Sequence, residues 1–210
     1  MCLQKTPTES KDSVYASGEQ SMMDASQARR HLLFLPLLKL LLRMGVTANL
    51  MTGLSLLCGI GFCCTFGLPW EGARVAALGL LLLHVLLDGI DGPLARFQGS
   101  AGNRGSFTDT TSDQLVVAFT TITLIHNDIV NVIPGSLYLF FYTLVVVFAM
   151  IRSTLAIPYS WLVRPRFIVY AGIPVDLYLL PGSLNFLLWL FIPLLIWKSI
   201  TGFKQIRRKL

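Results

Sequence analysis

The chain has 210 residues, of which 54% are hydrophobic and only 13% charged, and its formal net charge is +6. Soluble domains carry about 25% charged residues, so the composition excludes an ordinary soluble globular protein and points to a one-domain integral membrane protein. The basic excess fits anchoring to anionic membrane lipids on a cytoplasmic face and gives no reason to invoke nucleic acid.

Residues 1–30 are rich in Ser, Thr, Gln and charged residues. They lack the charge-then-apolar order of a signal peptide and read as a disordered cytoplasmic tail. The segment HLLFLPLLKLLLRMG follows at 31–45, with Lys39, Arg43 and a kinking Pro36. It is too short and too basic to span, and is expected to lie along the cytoplasmic face as an interfacial helix. Apolar stretches then occur at about 47–68, 73–95, 106–126, 134–157, 166–182 and 184–203, each near the ~20 residues a bilayer requires. The expected fold class is therefore all-α integral membrane, six transmembrane helices preceded by a cytoplasmic interfacial helix. The fifth stretch is the weakest, because Pro174 and Asp176 interrupt it. Arg96, Arg104, Arg164, Arg166, Lys204 and the basic tail at 206–210 fall on one side, against Arg74 beside Glu71 on the other. The positive-inside bias puts both termini in the cytoplasm, which agrees with an even number of spans. Trp70, Trp161 and Trp197 stand near span ends as interface anchors. Cys58, Cys63 and Cys64 lie in an apolar run without zinc spacing and read as small buried hydrophobes.

Outside the first 30 residues there are seven acids, and four of them, Asp88, Asp91, Asp109 and Asp113, share a 26-residue stretch. A carboxylate near hydrocarbon costs roughly 2.5–3.5 kcal/mol even on a mild insertion scale. Four together repel one another unless something positive sits among them. Asp88 and Asp91 are three apart and Asp109 and Asp113 four apart, so on helices each pair shares a face. Two antiparallel helices turned toward each other would make an all-oxygen site suited to Mg²⁺ or Mn²⁺. A pair of such cations can clamp phosphoryl oxygens during displacement at phosphorus. The intervening Gly89, Gly92, Gly99, Gly102 and Gly105 allow close backbone approach to a ligand. Arg96 is placed to neutralise a phosphate. A plain polar turn between helices explains the glycines but not four acids in paired helical register. A divalent-cation channel or transporter would also place acids between helices, but it needs them along the whole path.

Asp88, Asp91-Gly92, Ala95-Arg96, Gly105, Asp109 and Asp113 form a pattern that is similar to that of the CDP-alcohol phosphotransferase family, Asp-x2-Asp-Gly-x2-Ala-Arg-x8-Gly-x3-Asp-x3-Asp. Every fixed residue and spacing agrees, and the likeness covers roughly 31–205, the expected membrane domain. The resemblance implies an enzyme of phospholipid synthesis that transfers a substituted phosphate from a CDP-alcohol lipid donor to a small polar hydroxyl acceptor and releases CMP. CDP-diacylglycerol is the first choice of donor. A CDP-choline or CDP-ethanolamine type of transfer to a lipid hydroxyl is the alternative. The resemblance further implies two divalent cations held by Asp88, Asp91 and Asp109. Asp113 would be the base that takes the acceptor's proton, with a further contact to metal. Gly92 and Arg96 would face the CDP diphosphate, and Asn49 and Thr52 match an Asn-x-x-Thr pair near the same ligand. Gly102 stands where the family often has Ser or Thr, so that side-chain contact is missing or replaced by Ser100 or Asn103. Arg152, Arg164 and Arg166 are candidates for holding the acceptor. A homodimer is implied, as is a bacterial cell (inner) membrane if the source is bacterial, with the active site cytoplasmic. His84, one turn before Asp88, reads as a helix-packing histidine. Asp176 is open between a polar cavity and the outer interface.

Overall fold

The structure, a computed structural model, describes residues 36–157 and 164–210. The expected tail at 1–30, the start of the interfacial segment at 31–35 and Trp161 lie outside the described residues. Seven helices and no strand occur among the described residues: α1 (36–43), α2 (Ala48–Phe66), α3 (Ala73–Phe97), α4 (Asn103–His126), α5 (Val132–Thr154), α6 (Pro165–Tyr178) and α7 (Ser183–Lys209).

Four of them, α2, α3, α5 and α7, are long and apolar enough to cross a membrane, and at most 33% of their apolar windows is buried inside the protein. Leu57, Leu82, Phe140, Phe186 and Leu190 point outward, as side chains facing lipid do. The other two expected spans fall short for different reasons. α4 has 24 residues, but its first half carries Arg104, Asp109 and Asp113 among Ser and Thr. α6 has only 14 residues, roughly 21 Å at ~1.5 Å per residue, against a hydrocarbon core of about 30 Å.

Helix ends follow from local chemistry. Gly45 (φ +70°) and Gly99 (φ +67°) sit in the left-handed region just past α1 and α3, which glycine enters without a Cβ clash. Around each, two backbone bonds close the helix: Val46 N–H to Leu41 O at 3.0 Å with Gly45 to Leu42, and Ser100 N–H to Ala95 O at 2.9 Å with Gly99 to Arg96. Gly99 thus ends a helix. α2 begins at Thr47, whose hydroxyl accepts from the Leu50 N–H at 3.3 Å. Asn49 and Thr52 lie inside the helix, so neither is its N-cap.

α2 packs mainly on α3 and α5 on α7, while α4 bridges α2 and α5 and α6 lies on α7. A Cβ added to Gly59 would come within 2.5 Å of a Val116 methyl, so this glycine lets α2 and α4 close together. Phe62, Phe66, Val116, Tyr138, Leu188 and Leu195 belong to the main core. Leu38 of α1 packs with Met51 and Leu94 in a second, smaller cluster. Gln98 joins these ends: its amide accepts from Ala48 N–H at 3.2 Å and donates to Val46 O at 2.7 Å.

Asp176 is buried and accepts from the Leu184 N–H at 2.8 Å. It therefore caps α7 from the neighbouring helix, where Gly182 offers no side chain. Asp176→Ala should lower the melting temperature in detergent by about 2–12 °C, through an orphaned buried N–H worth ~1–3 kcal/mol. Asp176→Asn retains an acceptor and should melt close to the wild type. Equal melting of the Ala variant and wild type would remove the cap.

Candidate active site

The acids stand on two successive helices. α3 carries Asp88 and Asp91 two turns before its end, and α4 carries Asp109 and Asp113 from its second turn onward. Pro93 interrupts α3 at this level. It has no N–H to give the carbonyl four residues back, which is that of Gly89, beside Asp88. The tight turn at Gly99 returns the chain, and the two acidic faces meet.

Carboxylate oxygens of Asp88, Asp91 and Asp109 lie within 4.8 Å of one another. Two like charges about 5 Å apart repel by about 3 kcal/mol at an effective dielectric of ~20. Three oxygen donors at this spacing are the hard, anionic set that a divalent cation takes, and these residues could hold one. Asp91 is almost fully buried, and Thr52 Oγ1 is 2.7 Å from its Oδ2. The same hydroxyl is 3.2 Å from Ala48 O. It has one proton, and the shorter, charge-assisted contact is the stronger claim on it.

Asp113 is placed differently. It is outside the group of three and pairs with the Arg166 guanidinium. The other terminal nitrogen of Arg166 reaches Asp88 Oδ2 at 2.8 Å. Arg166 is 4% exposed, so both bonds form away from bulk water. The face of Phe167 lies 4.7 Å from its guanidinium carbon. Tyr142 and Tyr170 lie within electrostatic reach of Arg166 and Asp113.

The remaining expected residues divide by helix. Thr52 is drawn onto Asp91, while Asn49, one turn earlier, is exposed. Gly92 follows Asp91 directly, and a Cβ there would stand 3.8 Å from Arg96 Nη1. Arg96 itself is exposed, folded back beside Gly92. Gly102 is the extended N-cap of α4 and gives it no side-chain hydrogen bond. Arg152 is buried in the last turn of α5. Arg164 is exposed at the start of α6, 5.9 Å from the Phe167 ring. His84 packs as expected: Ser55 Oγ lies 2.8 Å from its Nδ1, joining α2 to α3 one turn beyond Thr52 on α2 and two turns before Asp91 on α3. The double ion pair of Arg166 was not legible in any local motif. Its only signal was that four acids demand a countercharge.

The profile of the CDP-alcohol phosphatidyltransferase family matches residues 45–200. No curated protein matches the sequence. Two crystal structures of the Mycobacterium tuberculosis phosphatidylinositol phosphate synthase PgsA1 share the fold. The one in complex with manganese and citrate is 21% identical, with a TM-score of 0.66, and the match covers 81% of this chain and 87% of that one. The one with CDP-DAG bound is 20% identical, with a TM-score of 0.67, covering 81% and 92%.

The crowding of Asp91 gives a test. Asp91→Asn keeps the shape and an acceptor for Thr52 but removes one of three mutually repelling charges. Without divalent metal it should melt higher than wild type by about 2–4 °C for each kcal/mol of relieved repulsion. The rise in melting temperature that Mn²⁺ gives the wild type should disappear. A variant still stabilised by Mn²⁺ like the wild type would exclude Asp91 as a ligand.

Proposed function

The chain belongs to the CDP-alcohol phosphatidyltransferase family, and from that membership we propose that it transfers a phosphatidyl group from CDP-diacylglycerol to a hydroxyl acceptor in phospholipid synthesis. The observation that carries this reading is the convergence of three carboxylates from two helices, within 4.8 Å, at the family's motif positions. A relative of the same fold has CDP-DAG bound, which supports the choice of donor, and another structure of it holds manganese. The acceptor is a small polar alcohol.

The residues divide the work. Asp88, Asp91 and Asp109 would hold divalent cations, two of Mg²⁺ or Mn²⁺, with Asp113 in contact with the second. Bound cations would supply positive charge to the diphosphate oxygens and so ease departure of CMP. Arg96, free of any acid in its own turn and lying beside Gly92, is suited to meet the cytidine-side phosphate. Asn49, Thr52 and the backbone around Gly102 line the donor side. The acceptor oxygen attacks the phosphorus that bears the diacylglycerol. Its bond to the CMP oxygen breaks, and CMP leaves with the bonding pair. Asp113 takes the hydroxyl proton, because an alcohol is a poor nucleophile until a base within hydrogen-bond reach accepts it. Arg152 and Arg164 supply the positive side on which a phosphate-bearing acceptor would be held, because both terminal nitrogens of Arg166 are already engaged by Asp88 and Asp113.

The same reading sets the protein in the membrane with six spans, α2 to α7. α1 lies at the interface, and both ends and the aspartates are cytoplasmic. The first turns of α4, exposed at residues 103–108, then stand at the cytoplasmic surface, and α6 crosses with help from local thinning of the bilayer. A homodimer, as the family resemblance implies, is part of this proposal.

Purified protein with CDP-diacylglycerol, Mn²⁺ and a panel of polar alcohols and their phosphates should release CMP with one acceptor class and yield a lipid of the matching mass. A parallel panel with CDP-choline and CDP-ethanolamine tests the donor. No CMP from any CDP-alcohol, in the presence of metal, would sink the reading. Asp113→Asn should lower kcat by about 10²–10⁴-fold, the usual share of a general base, with the KM for the donor little changed. Full CMP release by this variant would exclude Asp113 as the base.

A further inference from the structure

Arg166 stands out because it comes from α6, far along the chain, yet lies between acids of α3 and α4. One nitrogen meets Asp88 at 2.8 Å and the other meets Asp113. Its side chain is 5% exposed. Asp88 is also one of the three acids whose oxygens converge within 4.8 Å. The guanidinium therefore touches both the cation-binding group and the carboxylate assigned as base. A planar fork can hold two carboxylates at a fixed separation, which a lysine ammonium cannot do in the same way. Phe167 against its face limits the ring of orientations open to it.

We propose that Arg166 is a built-in counter-cation and positioning residue of the aspartate cluster: its guanidinium fork ties Asp88 to Asp113, fixes the direction of the Asp113 carboxylate, and opposes in charge the divalent cation that Asp88 shares. This deepens the proposed reaction and rests on it for the role of Asp113, but its charge half stands on metal binding alone. Two consequences separate. Losing the charge removes a like-signed neighbour from the cation site, so cations bind more tightly while the cation-free protein loses the compensation of its acids. Keeping the charge but losing the fork leaves cation binding intact and misaligns Asp113. An acceptor-holding role for Arg166 would move neither cation affinity nor stability in that pattern.

The test uses the full chain in detergent, stripped with EDTA, as wild type, Arg166→Met and Arg166→Lys. Mn²⁺ binding is read by the free-ion EPR signal, and stability by melting with and without Mn²⁺. The Met variant should melt lower than wild type in EDTA, and its half-saturating Mn²⁺ concentration should fall by about fivefold, as expected for removing one nearby unit charge in a partly screened site. The Lys variant should keep half-saturation within about twofold of wild type but lose at least tenfold in kcat, as a misplaced catalytic group does, with acceptor KM unchanged. If the Met variant cannot be purified folded, Arg166→Gln takes its place in the Mn²⁺ titration. Unchanged or weaker Mn²⁺ binding on loss of the charge overturns the counter-cation role. Full kcat in the Lys variant, or a loss confined to acceptor KM, overturns the positioning role. A wild type that binds no Mn²⁺ overturns this inference together with the proposed cation chemistry. Normal cation coupling without transfer activity overturns the reaction but leaves the counter-cation standing.

Discussion

Repulsion among four carboxylates on two neighbouring helices is the constraint around which this protein is built. Each pair is set by helical spacing, and the Gly99 turn brings the pairs together. Apolar packing tolerates such a cluster only if each acid is compensated. Thr52 donates to Asp91, and Arg166 donates to Asp88 and Asp113. What is left over, the convergent oxygens of Asp88, Asp91 and Asp109, is an anionic set that could hold a divalent cation. Stability and chemistry therefore draw on the same charges. An arrangement with fewer acids would be easier to fold and would bind cations poorly.

The rest of the bundle holds the four positions still. α2 is fastened to α3 by two polar rungs, Thr52 with Asp91 and Ser55 with His84. Gln98 pins the start of α2 to the end of α3. Gly59 lets α4 come close enough to α2 for Val116 to fill the gap. At the opposite end, Asp176 fixes α7 to α6, and Asn185 of α7 accepts from Asn131 N–H at 2.8 Å and donates to Ile129 O. Such bonds recur at helix ends because the first N–H and last C=O groups there have no partner within their own helix.

Much of this was legible in the sequence, and the limits are physical. Each aspartate pair lies on one helix, as its spacing requires, whereas of the glycines expected to approach a ligand Gly99 ends a helix and Gly89, Gly92 and Gly105 lie inside helices. Hydropathy alone overestimated α6, because Leu179 to Leu180 and Pro181 continue the apolar run past the end of the helix at Tyr178. Asp176 was ambiguous from sequence, since its acceptor role depends on an N–H eight residues later, in another helix. From sequence Arg166 is a candidate for holding the acceptor, in a basic segment that the positive-inside bias alone also explains. Its partners lie 78 residues away for Asp88 and are set by how α6 crosses the bundle, which no local pattern encodes. The family's Asn-x-x-Thr pair points to Thr52 together with Asn49, and the structure adds what that resemblance does not give, the carboxylate Thr52 touches.

The distribution of these residues along the chain separates the two halves of the reaction. The residues assigned to the donor and the cations, from Asn49 to Asp109, lie on α2, α3 and α4, with α2 packed on both of the others. The residues assigned to the acceptor, Arg152 and Arg164, lie in the last turn of α5 and at the start of α6. A substitution that changes the acceptor can therefore be absorbed on α5 and α6 without disturbing the carboxylates. Arg166 is the exception among the described residues, because its ion pairs cross from α6 to α3 and α4. A change there alters the charge felt by the cation site and the direction of Asp113 at once. The acceptor side is thus free to vary around a guanidinium that the donor side cannot spare.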